Sequence, residues 1–195
     1  MARPNSSLPL LKEIRACQVC APHLKDGVRP VVAFAPGAAI VIVGQAPGAA
    51  VHASGVPWDD PSGASLREWM RVDDAVFYDP TKIAIVPMGF CFPGHGRSGD
   101  KPPRSECAPL WHAKIFDQLR PRLTLLVGSY AQAHYLGAKR RPTLTETVRH
   151  WREHPTDRIA LPHPSPRNRP WLAKNPWFAQ QILPLLRRRV ARALK

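Results

Sequence analysis

Ala39-Ile40-Val41-Ile42-Val43-Gly44 decides the fold. The run has no polar side chain, and four consecutive residues in it are β-branched. Successive side chains of a strand point to opposite faces, so such a strand needs cover on both sides, as in the centre of a parallel sheet. Gly44 ends it. Working outward, residues 82–88, 123–127 (closed by Gly128) and 158–161 are further apolar runs of strand length. Helical segments are predicted between and around them: 8–15, 65–71 with Ser62 or Ser65 as cap, 109–119 from the spacing of Leu110, Trp111, Ile115, Phe116 and Leu119, and 130–136. A last basic helix, 177–194, follows Asn175 as its cap and is interrupted near Pro184. This alternation predicts an α/β sandwich around a mostly parallel central sheet of about four strands, built as a single domain over residues 1–195. In open parallel sheets ligands bind at the carboxyl ends of strands. The loops 45–63, 90–106 and 162–170 leave three such ends and are expected to meet at one cleft.

A chain of 195 residues with 44% hydrophobic side chains can bury a real core, which excludes a wholly disordered protein. Its apolar runs are far shorter than the roughly 20 residues of a membrane span. Met1-Ala2-Arg3-Pro4-Asn5 lacks the apolar centre of a secretory leader. The expectation is a soluble cytoplasmic protein with no membrane partner. Lys and Arg number 28 against 14 acids, a net charge of +14, which points to a polyanionic partner, most simply nucleic acid. The charge is uneven. Arg187-Arg188-Arg189 and Arg192 crowd the C-terminus, and a second basic stretch runs from Lys139-Arg140-Arg141 through Arg149, Arg152, Arg158 and Arg167 to Arg169. A solvated helix face is the commoner fate of such a run as the first. Twenty-three prolines predict long, fixed loops on a compact scaffold.

Cys17 and Cys20 form C-x2-C, and Cys91 and Cys107 follow after gaps of 70 and 15 residues. All four fall in or beside predicted loops. Two close thiolates chelate, and two from distant loops complete four ligands. Zinc and an iron–sulfur cluster both suit four thiolates. Four ordinary buried cysteines are the plain alternative.

Gly44-Gln45-Ala46-Pro47-Gly48 sits where a strand turns toward a helix, and its glycines allow close backbone approach to a ligand. It is not G-x-G-x-x-G, and no Gly-Lys-Ser/Thr follows, which argues against a dinucleotide site or phosphate loop. Gly55-Val56-Pro57-Trp58-Asp59-Asp60 combines an aromatic that could stack on a base with two acids that could orient water or oppose a cation. A packed Trp beside an acidic helix cap is the plain alternative. His163-Pro164-Ser165-Pro166-Arg167-Asn168 follows the last strand. Its His could donate to a developing oxyanion, and Arg167, Arg169 and Trp171 could grip phosphates or wedge a helix.

Together these residues resemble the uracil-DNA glycosylase superfamily, over about residues 17–177. GQAPG at 44–48 is similar to its first motif, and GVPW at 55–58 to the Gly-x-Pro-aromatic that follows. HPSPRN at 163–168 is similar to its second, His-Pro-Ser motif. The cysteine order is similar to that of the iron–sulfur-containing branches. The resemblance implies a three-layer α/β/α fold, a structural [4Fe–4S] cluster held by Cys17, Cys20, Cys91 and Cys107, and excision of uracil from DNA by a monomer that meets the nucleoid through its substrate. It assigns His163 as donor to uracil O2, Asp59 or Asp60 as the acid that holds water and opposes the sugar cation, and Trp58 as the stacking surface. Gly44, Gln45 and Ala46 would read the base edge, and Ser165, Arg167 and Asn168 would complete the DNA contacts.

The sequence departs from the better-known iron–sulfur branch in two places. Ala49-Ala50-Val51-His52 carries no carboxylate where acids follow the first motif, and Val86-Pro87-Met88-Gly89-Phe90 lacks the Asn expected ahead of the third cysteine. A branch with a bare GxAPG-Ala start and an acid after Gly-x-Pro-Phe is nearer. The missing acids motivate a rival, a non-catalytic binder of uracil-containing or abasic DNA. A zinc-bound RNA-associated protein is a second rival, and nucleotide hydrolysis, lacking a phosphate loop, a third.

Overall fold

The computed structural model describes residues 7–97 and 99–195. Residues 1–5, read above as lacking the apolar centre of a leader, lie outside them. Strand β1 (Ile40–Val43) is buried along its whole length and pairs in parallel with β2 (Ile83–Ile85) on one side and β5 (Leu123–Val127) on the other. β6 (Arg158–Leu161) adds in parallel to β5, so the sheet order is β2-β1-β5-β6. Register is set by matched apolar residues: Ile40 and Ile42 lie beside Ile83 and Ile85, and Val43 beside Leu126. A small antiparallel hairpin, β3 (His95–Gly96) with β4 (Gly99–Asp100), stands apart from this sheet.

Nine α-helices are present among the described residues. They are α1 (Ser7–Arg15), α2 (Ala49–Ser54), α3 (Pro61–Met70), α4 (Asp74–Phe77), α5 (Ala113–Leu119), α6 (Ser129–Leu136), α7 (Leu144–Arg149), α8 (Arg169–Lys174) and α9 (Leu183–Ala193). Helices flank the four-stranded parallel sheet, as the α/β sandwich expectation required: α9 packs against both α3 and β5, α6 against β5, and α7 against β6. One continuous core holds the sheet, Leu66 and Met70 of α3, Ile115 of α5, and Leu186 and Val190 of α9. No helix among the described residues is long and apolar enough to cross a membrane.

Several expected boundaries need correction. The strand expected over 82–88 stops at Ile85, although the chain stays alongside β1 a little further: Val86 N–H donates to Ile42 O (2.9 Å) and Met88 N–H to Gly44 O just beyond the strand (3.0 Å). The loop expected over 45–63 contains α2, and that over 90–106 contains the hairpin. α3 begins at Pro61, so neither Ser62 nor Ser65 is its cap. Asn175 closes α8 instead of opening the last helix; its side-chain amide donates to Trp171 O (2.8 Å). Ahead of α9 the chain makes a π-helical turn, Phe178–Ile182, just before Pro184, whose missing N–H breaks the regular ladder.

From β1 the chain moves first to β2 on one side and then crosses back past β1 to β5 on the other, so the strand order reverses beside β1. The carboxyl ends of β1 and β5 therefore flank the crevice where such folds hold ligands.

Candidate active site

A cavity of about 470 Å³ opens at these carboxyl ends, within the usual range for a small-molecule site. Its wall brings together Gly44, Gln45, Ala46, Trp58, Asp60, His163, Ser165 and Arg167 from the expected site residues. Asp59 and Asn168 are not on it. All three loops contribute, as the strand-end argument expected.

The first loop is held from below. Gly44 O and Gln45 O accept from Met88 N–H (3.0 Å) and Gly89 N–H (2.8 Å), which fixes the two adjoining loop backbones to each other. Pro87, just before Met88, lines the cavity, and its carbonyl accepts from His112 Nε2 (3.0 Å). The His112 Nδ1 must then accept from the Tyr135 hydroxyl (2.6 Å). Burial pushes the His112 pKa down to about 4, so this bridging imidazole is neutral at pH 7. The Gln45 side chain lies against Gly128 at the end of β5, where a Cβ would stand 2.6 Å from its amide nitrogen and φ is +88°. Only glycine suits that position. α2 follows Gly48, and its carboxyl end is clasped by the Arg29 guanidinium, which donates to His52 O, Ala53 O and Ser54 O (2.7, 2.7 and 3.3 Å).

Trp58 adopts φ +57°, a left-handed conformation that costs a bulky residue energy and is found at functional sites. Its carbonyl is wedged against Gly63, where a Cβ would lie only 1.8 Å away, and accepts from Arg67 Nη1 and Tyr78 Oη (3.4 Å each). Arg67 is itself paired to Asp74 (2.7 Å). This strained turn aims the indole across Gly44 toward His163, ring centroids 5.5 Å apart. Asp60 is the N-cap of α3: its Oδ1 accepts from Gly63 N–H (2.8 Å). One of its oxygens is thus committed to the helix.

His163 leaves the end of β6, whose last carbonyl, Leu161 O, accepts from the buried Gln132 amide (2.9 Å). Asn168 Nδ2 donates back to His163 O (2.7 Å), and Ser165 Oγ accepts from Arg167 N–H (3.2 Å). Asn168 therefore acts on the loop's shape from outside the cavity. Burial lowers the His163 pKa, and the charges of Asp60 and Asp100 partly oppose the shift. The imidazole is neutral at pH 7 and offers one N–H.

Asp100 was not legible as a site residue. It lies on β4, lines the cavity, and pairs through Oδ1 with His95 Nδ1 (3.0 Å). Its only sequence signal was an acid set in a Gly- and Pro-dense loop. Gly99, Lys101, Pro93 and Pro103 from the same segment also line the cavity.

Cys17, Cys20, Cys91 and Cys107 are free thiols that line one small, mainly apolar cavity with Ile14, Phe90 and Trp111. Among the described residues no group of three or more His, Cys, Asp or Glu is arranged to hold a metal ion as it stands. Phe90 N–H donates to Cys107 Sγ (3.5 Å), and Arg104 lies on the same wall. Burial pushes the Cys91 and Cys107 thiols up to about 11 and about 12, so a bound cation is needed to make them thiolates.

The C-terminal arginines divide. Arg187 Nε donates to Trp69 O (3.3 Å), and Arg189 donates to Arg158 O (3.4 Å) beneath the Trp151 ring. These two staple α9 to the body, while Arg188 and Arg192 face solvent.

A family model described as the uracil DNA glycosylase superfamily matches residues 31–187. The chain belongs to that superfamily, which places it among glycosylase-type hydrolases acting on DNA. The match contains both loop motifs, the hairpin, Cys91 and Cys107; Cys17 and Cys20 precede it.

Proposed function

We propose that this protein is a uracil-DNA glycosylase: it flips uracil out of DNA and hydrolyses its N-glycosidic bond, leaving an abasic site. The observation that carries this is the placement of Trp58 and His163, from separate loops, face to face on the wall of one cavity with Arg167 beside them.

The target base must leave the stack before its glycosidic bond can be reached. Trp58 then offers a π-face, a contact worth roughly 1–3 kcal/mol per base. Bond cleavage places negative charge on uracil O2, and the neutral His163 N–H is the donor aimed at it. The backbone of Gln45 and Ala46 lies at the base edge, with its loop held rigid by the Gly44 and Gln45 carbonyl bonds. Positive charge on the sugar is opposed by DNA phosphates and by carboxylates on the cavity wall. Arg167, on the rim, grips the backbone, and the net charge of +14 draws the polyanion in.

Cys17, Cys20, Cys91 and Cys107 are the residues that would hold a [4Fe–4S] cluster. Four free thiols on one apolar wall, flanked by an N–H donor and Arg104, have the donor chemistry such a cluster needs. Its contribution would be structural, tying the N-terminal segment to the loop that carries the hairpin. We place the chain near the branch with Ala after the first motif, or in a divergent group of its own.

Binding of uracil-containing or abasic DNA without cleavage is the second reading, favoured by the absence of an acid at residues 49–51. A single-uracil oligonucleotide separates the two. Alkali-labile breaks at the uracil, absent from a thymine control, mark the glycosylase; tight retention without breaks marks the binder.

A further inference from the structure

We infer that Asp100, carried by the β3–β4 hairpin, is the carboxylate that activates water in this site. This rests on the glycosylase reading above. Two observations place it. Asp100 Oδ2 lies 3.4 Å from where a Cβ of Gly48 would stand, so the carboxylate hangs directly over the end of the first motif. Arg167 of the second motif reaches the same hairpin, with Nη1 2.8 Å from the Cβ position of Gly99, whose φ of +141° disfavours a side chain there. The hairpin therefore touches both motif loops, and its acid stands where they meet.

The hairpin is also fixed in place. His95 Nδ1 pairs with Asp100 Oδ1 (3.0 Å), the His95 ring meets the edge of the buried Phe92 (5.1 Å between centroids), and Phe92 contacts His52 of α2 (5.9 Å). That chain of contacts leads back to the helix that follows Gly48. With Oδ1 held by His95, Oδ2 is left for a ligand. Asp60, the other acid on the wall, likewise has one oxygen engaged, by the α3 cap, but it does not come within 4 Å of the Gly48 position that Asp100 covers, and Asp59 is not on the wall. A carboxylate facing DNA phosphates weakens binding by repulsion, so an acid here answers to chemistry more than to affinity. It also supplies the function that residues 49–51 lack.

The step balances as a hydrolysis. The C1′–N1 bond breaks and its electron pair leaves with uracil. A water oxygen bonds C1′ of the oxocarbenium sugar, and its proton passes to Asp100 Oδ2. The carboxylic acid then returns that proton to solvent, from which the uracil anion is protonated.

The test measures single-turnover uracil release by the full chain and by Asp100→Asn, Asp100→Glu and Asp60→Asn, and the affinity of each for an oligonucleotide with one abasic site. A positioned general base contributes about 10²–10⁴ in rate. Asp100→Asn is expected to lose release in that range while holding the abasic strand as tightly or more so. Asp100→Glu is expected to recover part of the rate, and Asp60→Asn to lose less. A structural role predicts instead that rate and affinity fall together. Release by Asp100→Asn near that of the unmodified chain, or a greater loss in Asp60→Asn, would overturn the assignment alone. No release by the unmodified chain would overturn the glycosylase reading and this assignment with it.

Discussion

The indole of Trp58 and the imidazole of His163 lie 5.5 Å apart, centroid to centroid, with their planes inclined by 31°. Trp58 comes from the turn into α3 and His163 from the end of β6, more than a hundred residues later. The pairing fixes the His163 ring from one side, while Asn168 fixes its backbone from the other (2.7 Å). A donor held this way needs no reorganisation when charge develops on uracil O2. His163→Ala is expected to slow base release by about 10²–10³ while DNA affinity stays within a few-fold of normal. Pre-steady-state release assays with an anisotropy titration check this.

Gly63 is decided by two opposing effects. Alanine in a helix is favoured over glycine by about 1 kcal/mol. Here its Cβ would sit 1.8 Å from the Trp58 carbonyl, a clash with backbone that cannot rotate away. Overpacking of that kind costs about 1–3 kcal/mol and moves the strained turn. Gly63→Ala is therefore expected to lower the melting temperature. Displacing Trp58 by on the order of 1 Å would slow release by on the order of 10². Thermal melts and the release assay read the two effects separately.

His112 predicts an acid limb of stability. Its pKa is about 4 in the folded chain against an ordinary value of 6.5. The unfolded state therefore binds more protons between those values, and stability rises with pH across that window. Below pH 4 the contribution is gone; above pH 6.5 it is complete. The shift corresponds to on the order of 3 kcal/mol. His112→Gln is expected to be less stable than the unmodified chain at pH 7, with the gap closing by pH 4. Denaturant midpoints at the two pH values measure it.

The four cysteines predict a coloured protein. Anaerobically purified chain is expected to be brown, with iron and acid-labile sulfide in equal amounts. Cys107→Ser is expected to lose the colour and more than about 4 kcal/mol of stability, as loss of a structural metal site does. A colourless protein carrying zinc would contradict the cluster.

Much of this was readable because strong local signals agreed with the topology. The four β-branched residues Ile40, Val41, Ile42 and Val43 leave few alternatives to a central parallel strand. Once the strands were placed, their ends located the site. Short elements were not readable. α2 spans six residues between Gly48 and Gly55, too few to show a period. The hairpin strands are two residues each, so nothing in sequence could announce that Asp100 lines the same cavity as His163. Two capping signals bear on the rest, of which the acidic cap after Trp58 was the plain alternative for that stretch and is what the structure shows, while the one ahead of α7 was missed. Asp60 followed by Pro61 is a helix start, and Thr143 with Glu146 forms a capping box that opens α7. The cap engages one oxygen of Asp60, which only the hydrogen bond from Gly63 shows.

The central claim is that the Trp58–His163 cavity breaks a glycosidic bond. The most direct test incubates the purified chain with an oligonucleotide bearing one uracil and quantifies free uracil and abasic sites in the same sample. The account predicts equal amounts of both, rising with time, and none from a thymine-bearing control. Stable capture of the uracil strand with no free base would contradict it and leave a binding protein on a glycosylase scaffold.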